Sequence, residues 1–231
     1  MSKDIIFTPI FPVEDIYYPE PASKTLPEWY KKTESFLNSK TFKPLNGHGN
    51  QSIKKCMPVF DAITSGYIIK TYVDVYVTLT EDNISYFNWP MYEPISFHPI
   101  EQAALHPGMN NKPFPKWVNP WSIRTSSGYS CLFIDPMHNP NGIFTIMPGV
   151  VDTDSYINPV NFPFTMNDPN FEGMIPAGTP ICQVIPFKRD SFNMSIGGEK
   201  EIKNIDKTNF LFRNKWVNNY KSKFWSKKSY R

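Results

Sequence analysis

The clearest periodic signal in the chain lies between Cys56 and Leu79. Thr71-Tyr72-Val73-Asp74-Val75-Tyr76-Val77-Thr78-Leu79 alternates with a period of two, and Ala62 to Lys70 is equally rich in β-branched and aromatic residues. Both stretches predict strands, so a β-rich core is expected to begin here. Asp82-Asn83 predicts a hairpin turn into Ile84 to Trp89, and Ser122 to Ile134 and Gly142 to Met147 are further strand candidates separated by Pro, Gly and Asn. Ahead of this core, Pro9, Pro12, Pro19, Pro21 and Pro27 make the first thirty residues an extended arm that packs its aromatics onto something rather than a free linker. Leu26 to Phe36 predicts a short helix with Pro27 in its first turn, and Gly47 to Ser52 a loop. Near the C-terminus Phe212, Trp216, Tyr220 and Phe224 fall four apart among Lys and Arg, which predicts a helix from about Thr208 to Trp225 with an aromatic stripe beside a basic face.

The pattern divides the chain into a Pro- and aromatic-rich arm with a short helix (1–55), a β-rich core (56–192), and a linker with a basic aromatic helix or tail (193–231). The 231 residues suit one all-β domain with appendages, and 23 prolines against 11 glycines imply short strands and stiff connections. Cys56, Cys131 and Cys182 are far apart and odd in number, which suggests neither a disulfide framework nor a thiolate zinc site. With no apolar run of membrane-spanning length and no export signal, a cytoplasmic, non-secreted protein is expected.

The net charge of +3 conceals an asymmetry. Residues 207–231 carry eight Lys or Arg and no acid, leaving sixteen basic and twenty-one acidic residues, a net −5, for the rest. Three uses of such a tail stay open: docking its stripe on the body with the cations in solvent, contacting nucleic acid, or meeting a membrane surface or protein partner.

Candidate chemistry narrows quickly. His48, His98, His106 and His138 form no His-x-His or His-x-Asp pair, so a cupin-type metal centre is not indicated. No nucleophile elbow, catalytic cysteine signature or phosphate-binding glycine loop is present. What stands out is Gly149-Val150-Val151-Asp152-Thr153-Asp154-Ser155-Tyr156, then Ile175-Pro176-Ala177-Gly178-Thr179-Pro180-Ile181-Cys182-Gln183-Val184-Ile185-Pro186-Phe187-Lys188-Arg189. By their own chemistry, Asp152 and Asp154 suit turn capping, Tyr156 suits the core, and Pro-Ala-Gly-Thr-Pro suits a tight turn that launches the last strand.

The same residues resemble motifs of the trimeric dUTPases and dCTP deaminases. Gly149 to Asp152 with Tyr156 is similar to the third dUTPase motif, Ile175 to Ile185 with Gly178, Ile181 and Gln183 to the fourth, and Arg124-Thr125-Ser126-Ser127-Gly128 to the second. The resemblance covers about residues 120–190 and implies a β-clip fold, in which short strands wrap round one another and three subunits share sites. A distorted barrel is close to it, and a double-stranded β-helix jelly roll is the alternative architecture. It further implies Asp152, with Asp154, as catalytic acids, Asp152 serving as general base for a water attacking the α-phosphate of a deoxynucleotide in the presence of Mg2+. Ser126, Ser127 and Gly128 would bind phosphate, Tyr156 would stack on the deoxyribose, and Gln183, Lys188 and Arg189 would position phosphate or water. The chain departs from the pattern where Ser155 precedes Tyr156, where Thr125 interrupts the Arg-Ser-Ser run, and where the uracil-binding hairpin and glycine-rich C-terminal arm are missing.

Across most of residues 20–190 the chain also resembles a family of proteins, without an assigned activity, encoded by tailed phages, large DNA viruses and some bacteria. The residues that carry this are Cys56 to Asp61, Gly66-Tyr67, Asn119 to Ile123, Gly128 to Phe133, Gly149 to Tyr156, Asn161 to Phe164 and Gly178 to Arg189. It implies a viral or mobile-element setting. Two functional classes follow: a non-catalytic structural or host-interaction β protein, and a nucleotide-binding or Mg-dependent nucleotide-hydrolysing β-clip protein, trimeric if the clip is complete.

Overall fold

The computed structural model describes residues 3–10, 17–38, 50–82, 84–90, 92–102, 106, 114–213 and 219–231, with backbone alone for 211–213 and 219. Among these residues the chain is mainly β, with fourteen strands in four antiparallel sheets and no closed barrel. The largest sheet has the order β11-β9-β14-β3-β2, built from Gly149–Val151 (β11), Tyr129–Ile134 (β9), Pro180–Lys188 (β14), Tyr67–Lys70 (β3) and Glu20–Pro21 (β2). A four-stranded sheet joins Phe144–Ile146 (β10), Phe162–Met166 (β12), Phe114–Trp117 (β7) and Ile95–His98 (β6). A third joins Gly173–Ile175 (β13), Val75–Leu79 (β4) and Ser85–Asn88 (β5), and a ribbon pairs Ile5–Pro9 (β1) with Trp121–Thr125 (β8).

The alternation that predicts β4 is the alternation that buries it. Val75 and Val77 point inward and Tyr76 and Thr78 outward, while Trp121, Ile123 and Thr125 of β8 and Phe162 and Phe164 of β12 do the same. Their inner faces meet in an aromatic core: Trp117 stacks on Phe164 at a ring separation of 5.1 Å, and Phe144 lies 5.1 Å from Trp117 and 5.4 Å from Phe164. Full burial of each such side chain stabilises the fold by roughly 1.5–3 kcal/mol. β14 differs, since Ile181 to Val184 are buried without alternation, as expected of a central strand covered on both faces.

Several sequence expectations take shape here. The Pro-rich arm lies on the body: β1 pairs along β8, Tyr18 packs 5.4 Å from Trp121, and Tyr17 covers the Gly178 turn. Asp82 leads from β4 into β5, with Thr80 N–H bonded to Ile84 C=O at 2.9 Å; Asn83 lies outside the described residues. The Pro176 to Thr179 turn launches β14, closed by the Thr179 N–H to Pro176 C=O bond of 3.1 Å.

Other expectations need correction. Met57–Thr64 is a helix (α2), not the start of a strand, because Pro58 sits in the first turn, where its missing N–H is harmless, and Met57 and Ile63 are buried against the body. The helix predicted for Leu26 to Phe36 is limited to Glu28–Lys32 (α1), which follows Pro27 and ends where Thr33 turns extended. The C-terminal helix begins well before Thr208: Glu199–Arg213 (α3) follows Gly197-Gly198 with Glu199 and Glu201 in its first turn, where acids favour a helix start. Asn219–Lys223 (α4) is a separate short helix, and the stripe residues Phe212 and Trp216 have side chains outside the described set. No helix among the described residues is long and apolar enough to cross a membrane.

The link from α2 into β3 depends on Gly66. Its φ of +68° is left-handed, and an added Cβ would stand 2.0 Å from the carbonyl oxygen of Val184 in β14. Gly66→Ala is therefore expected to reduce or abolish folding: the conformation alone costs an alanine roughly 1–2 kcal/mol, and the backbone collision adds to it. A urea unfolding midpoint equal to that of the wild type would disprove this.

Candidate functional site

The motif residues gather at one corner of the largest sheet, where three chain segments end together. The first is the Ser126 to Tyr129 turn between β8 and β9, closed by Tyr129 N–H to Ser126 C=O at 3.2 Å, with Gly128 at φ +81°. The second follows β11, where Asp152 C=O accepts from the N–H groups of Ser155 (3.1 Å) and Tyr156 (2.9 Å). The third is the end of β14, where Arg189 N–H donates to Gly128 C=O at 2.9 Å.

That last bond sets the Arg189 guanidinium among acceptors. One nitrogen donates to Asp154 Oδ1 (2.8 Å), Ser130 Oγ (3.1 Å) and the Tyr129 carbonyl (3.2 Å), and lies 3.2 Å from Asp152 Oδ1; the other pairs with Asp154 Oδ2. Asp154 Oδ2 also accepts the Gly128 N–H at 2.8 Å, and Ser130 Oγ donates to Asp152 Oδ1 at 2.7 Å. A bidentate arginine fork with a backbone donor strongly favours ionised carboxylate, so the Asp154 carboxyl is held down to about 2, first by Arg189 and then by Gly128. The pairing pushes Arg189 up in turn, Asp154 being the main cause.

Between the two acids, Thr153 is wholly buried. Its hydroxyl meets Thr125 Oγ1 at 2.8 Å and donates to Cys131 Sγ at 3.3 Å, and burial pushes the Cys131 thiol up to about 11, far from a nucleophilic thiolate. The Asp-Thr-Asp run thus turns one side chain into the core and two toward Arg189. They differ in exposure: the Asp154 side chain is 10% exposed and that of Asp152 is 61% exposed.

The remaining candidates divide. Ser126 is tied to the arm, accepting at Oγ from Asp4 N–H at 3.3 Å and donating its own N–H to Asp4 C=O at 3.2 Å. Ser127 and Tyr156 are exposed at the same corner. Lys188 turns to Asp190, with Nζ to carboxylate distances of 2.7 and 3.0 Å. Gln183 stands apart from all of them: 1% exposed, it accepts from Met137 N–H (2.8 Å) and donates to the carbonyls of Ala62 (2.9 Å) and Ser65 (2.6 Å). The amide joins the loop after β9 to the end of α2 across β14.

Sequence reasoning missed Ser130, Thr125 and Thr153 as members of this corner. A signal existed: polar Ser130 sits inside the apolar strand β9, and a buried hydroxyl needs a partner.

Magnesium does not fit the acids as they stand. Both Asp154 oxygens are committed to Arg189 and Gly128, and Asp152 Oδ1 to Ser130 and Arg189, so a cation would enter beside a guanidinium. Among the described residues no group of three or more His, Cys, Asp or Glu could hold a metal ion; His48 lies outside them. No protein-family model matches the chain, and no curated protein is significantly similar to it.

Two outcomes follow, one from this corner and one from Gln183. Because the folded Asp154 titrates near 2 and an unfolded aspartate near 4, its contribution is complete above about 4 and lost as pH falls through 2. The wild-type advantage over Asp154→Asn, read from urea midpoints against pH, should shrink across that window; a constant difference would refute the latch. Gln183→Leu should lower stability by about 1–3 kcal/mol for each buried backbone group left unpaired, and a value near zero would remove its clamp role.

Proposed function

We propose that the chain is a non-catalytic structural or host-interaction β protein of viral or phage type, working as a homo-oligomer in the host cytoplasm through its C-terminal arm. The observation that carries this is the arm itself. Residues 191–198 belong to no helix or strand and are exposed, with Phe192, Met194 and Ile196 each at least 90% exposed, and α3 adds exposed Ile202, Ile205 and Phe210. Apolar residues at every second position of an exposed segment, followed by a helix with exposed apolar residues, are costly in water, and they suit burial in an interface.

A second copy of the chain fits this surface best. α3 carries mixed charges along its length, from Glu199 and Glu201 in its first turn to Lys203, Asp206 and Lys207, so neither end repels a second copy while the apolar residues Ile202, Ile205 and Phe210 come together. The latched corner agrees with a structural role for the motif residues, since Asp154 spends both oxygens on holding three segments together. Short antiparallel strands in several small sheets support a β-clip or a distorted barrel, with a jelly roll as the alternative. The free thiols of Cys131 and Cys182, both buried, suit a reducing compartment.

One observation favours a second reading, a dUTPase-like deoxynucleotide-binding or hydrolysing protein with Asp152 as general base. Asp152 is the exposed acid of the pair and shares its corner with exposed Ser127 and Tyr156. On that reading magnesium arrives with the phosphates rather than as a resident ion.

Light scattering on the full chain tests the first reading. The wild type should have the mass of an oligomer, and the triple variant Phe192→Ser, Met194→Ser, Ile196→Ser should shift toward monomer with an unchanged far-UV circular dichroism spectrum; a monomeric wild type would refute the arm as an interface. Deoxynucleoside triphosphates with Mg2+ should be neither turned over nor hydrolysed faster than by Asp152→Asn. Turnover abolished by that substitution would transfer the conclusion to the second reading.

A further inference from the structure

A separate cavity of about 780 Å3 lies where the last residues of the chain fold back over the N-terminal helices. One wall comes from the segment around α1 and α2, including Tyr30, Phe60, Lys54 and Lys55; the other comes from the tail, including Lys221, Trp225 and Lys227. Its size is within the roughly 300–1,000 Å3 of small-molecule sites.

The charge of the lining is one-sided. Five lysines, the four named and Lys228, meet a single carboxylate, Asp61, among the described lining residues. That carboxylate is already engaged: it pairs with Lys228 and accepts the indole N–H of Trp225 at 3.0 and 2.9 Å. Lys54 Nζ donates to the Lys31 carbonyl at 2.9 Å, Lys55 Nζ stands 5.0 Å from the Phe36 ring, and Lys221 Nζ stands 5.9 Å from the Trp225 ring, so none of these three meets an acid in the described structure. Closing the tail onto the body brings like charges together round a cavity, an arrangement that a polyanion relieves.

The aromatic part of the lining adds shape. The two bonds from Asp61 fix the edge of Trp225, so the indole is held in one orientation, while Tyr30 and Phe60 come from the facing wall with their rings 6.4 Å apart. Ammonium groups around a cleft with aromatic walls take a ligand that combines several phosphate charges with a flat ring.

We propose that this cavity binds a free nucleoside polyphosphate, with the lysines taking the phosphates and the aromatic walls the base, and that residues 219–231 serve as one wall of the site. The site is independent of the Asp152 corner and of the oligomer reading: none of its lining residues belongs to either.

Titration calorimetry on the full chain tests it, with dATP, adenosine and inorganic tripolyphosphate as probes and no metal added. dATP should bind, with adenosine and tripolyphosphate each at least tenfold weaker, and its affinity should fall as salt rises. Lys221→Ala with Lys227→Ala on the tail, and Lys55→Ala on the facing wall, should each weaken dATP at least tenfold while thermal unfolding of the free protein stays unchanged. No dATP binding at 1 mM, or binding indifferent to both sets of substitutions, would overturn the site. Equal binding of tripolyphosphate would overturn the role of the rings, and tighter binding of a short single-stranded oligodeoxynucleotide than of dATP would overturn the free nucleotide as its ligand.

Discussion

The pairing of β14 on both edges is the constraint from which the rest of the molecule follows. Its residues bond to β3 on one side, from Pro180 opposite Lys70 to Val184 opposite Tyr67, and to β9 on the other, from Gln183 opposite Ile134 to Lys188 opposite Tyr129. A strand held this way cannot slip by one residue without turning every side chain to the wrong face. Its start is fixed by the Gly178 turn, where Thr71 is bonded to the turn backbone, and its middle by Gln183, which reaches across to α2 and to Met137. Register at the middle then decides chemistry at the end, because the residue that emerges beyond β14 beside the Gly128 turn is Arg189.

The corner that Arg189 closes shows how the same residue types serve two purposes. Two acids, hydroxyls and a glycine turn are a suitable set for activating water on a phosphate, and they are equally suitable for fastening loop ends to a sheet. Which purpose prevails depends on the cation among them. A guanidinium that takes both Asp154 oxygens supplies the countercharge a phosphate-bound metal would otherwise supply, and it leaves Asp152 as the more exposed of the two acids.

Much of this architecture was legible in the sequence, for physical reasons that differ by element. β4 was readable because half its residues face solvent, and so was the turn ahead of β14, because only glycine accepts φ +83° against Tyr17. α2 was not, since Val59, Phe60 and Ile63 have the composition of a strand and only Pro58 spoke for a helix start; burial of one helical face decided the matter. α3 had a readable beginning in Gly197-Gly198-Glu199, but the aromatic spacing further along drew the expected helix toward the C-terminus. The motif order brought Ser126, Gly128, Asp152, Asp154 and Arg189 to one place, whereas Gln183, which belongs to the same motif as Arg189, is bonded instead to Met137, Ala62 and Ser65. Six residues of extended chain, about 20 Å at roughly 3.3 Å each, separate Gln183 from Arg189, and no spacing rule reveals which neighbour a buried central strand turns each side chain to.

The tail cavity was out of reach for a further reason: it is assembled from residues more than 150 positions apart, joined through Asp61. That one carboxylate reconciles two roles for the tail that looked like alternatives. By accepting the Trp225 indole and pairing with Lys228 it docks the aromatic residue on the body, and in doing so it draws the neighbouring lysines to the rim without neutralising them. Docking and anion attraction are then coupled free energies rather than competitors. An anion that relieves repulsion among the lysines tightens the tail, and a tail held more tightly binds the anion better by the same factor, because linkage between two binding equilibria is reciprocal.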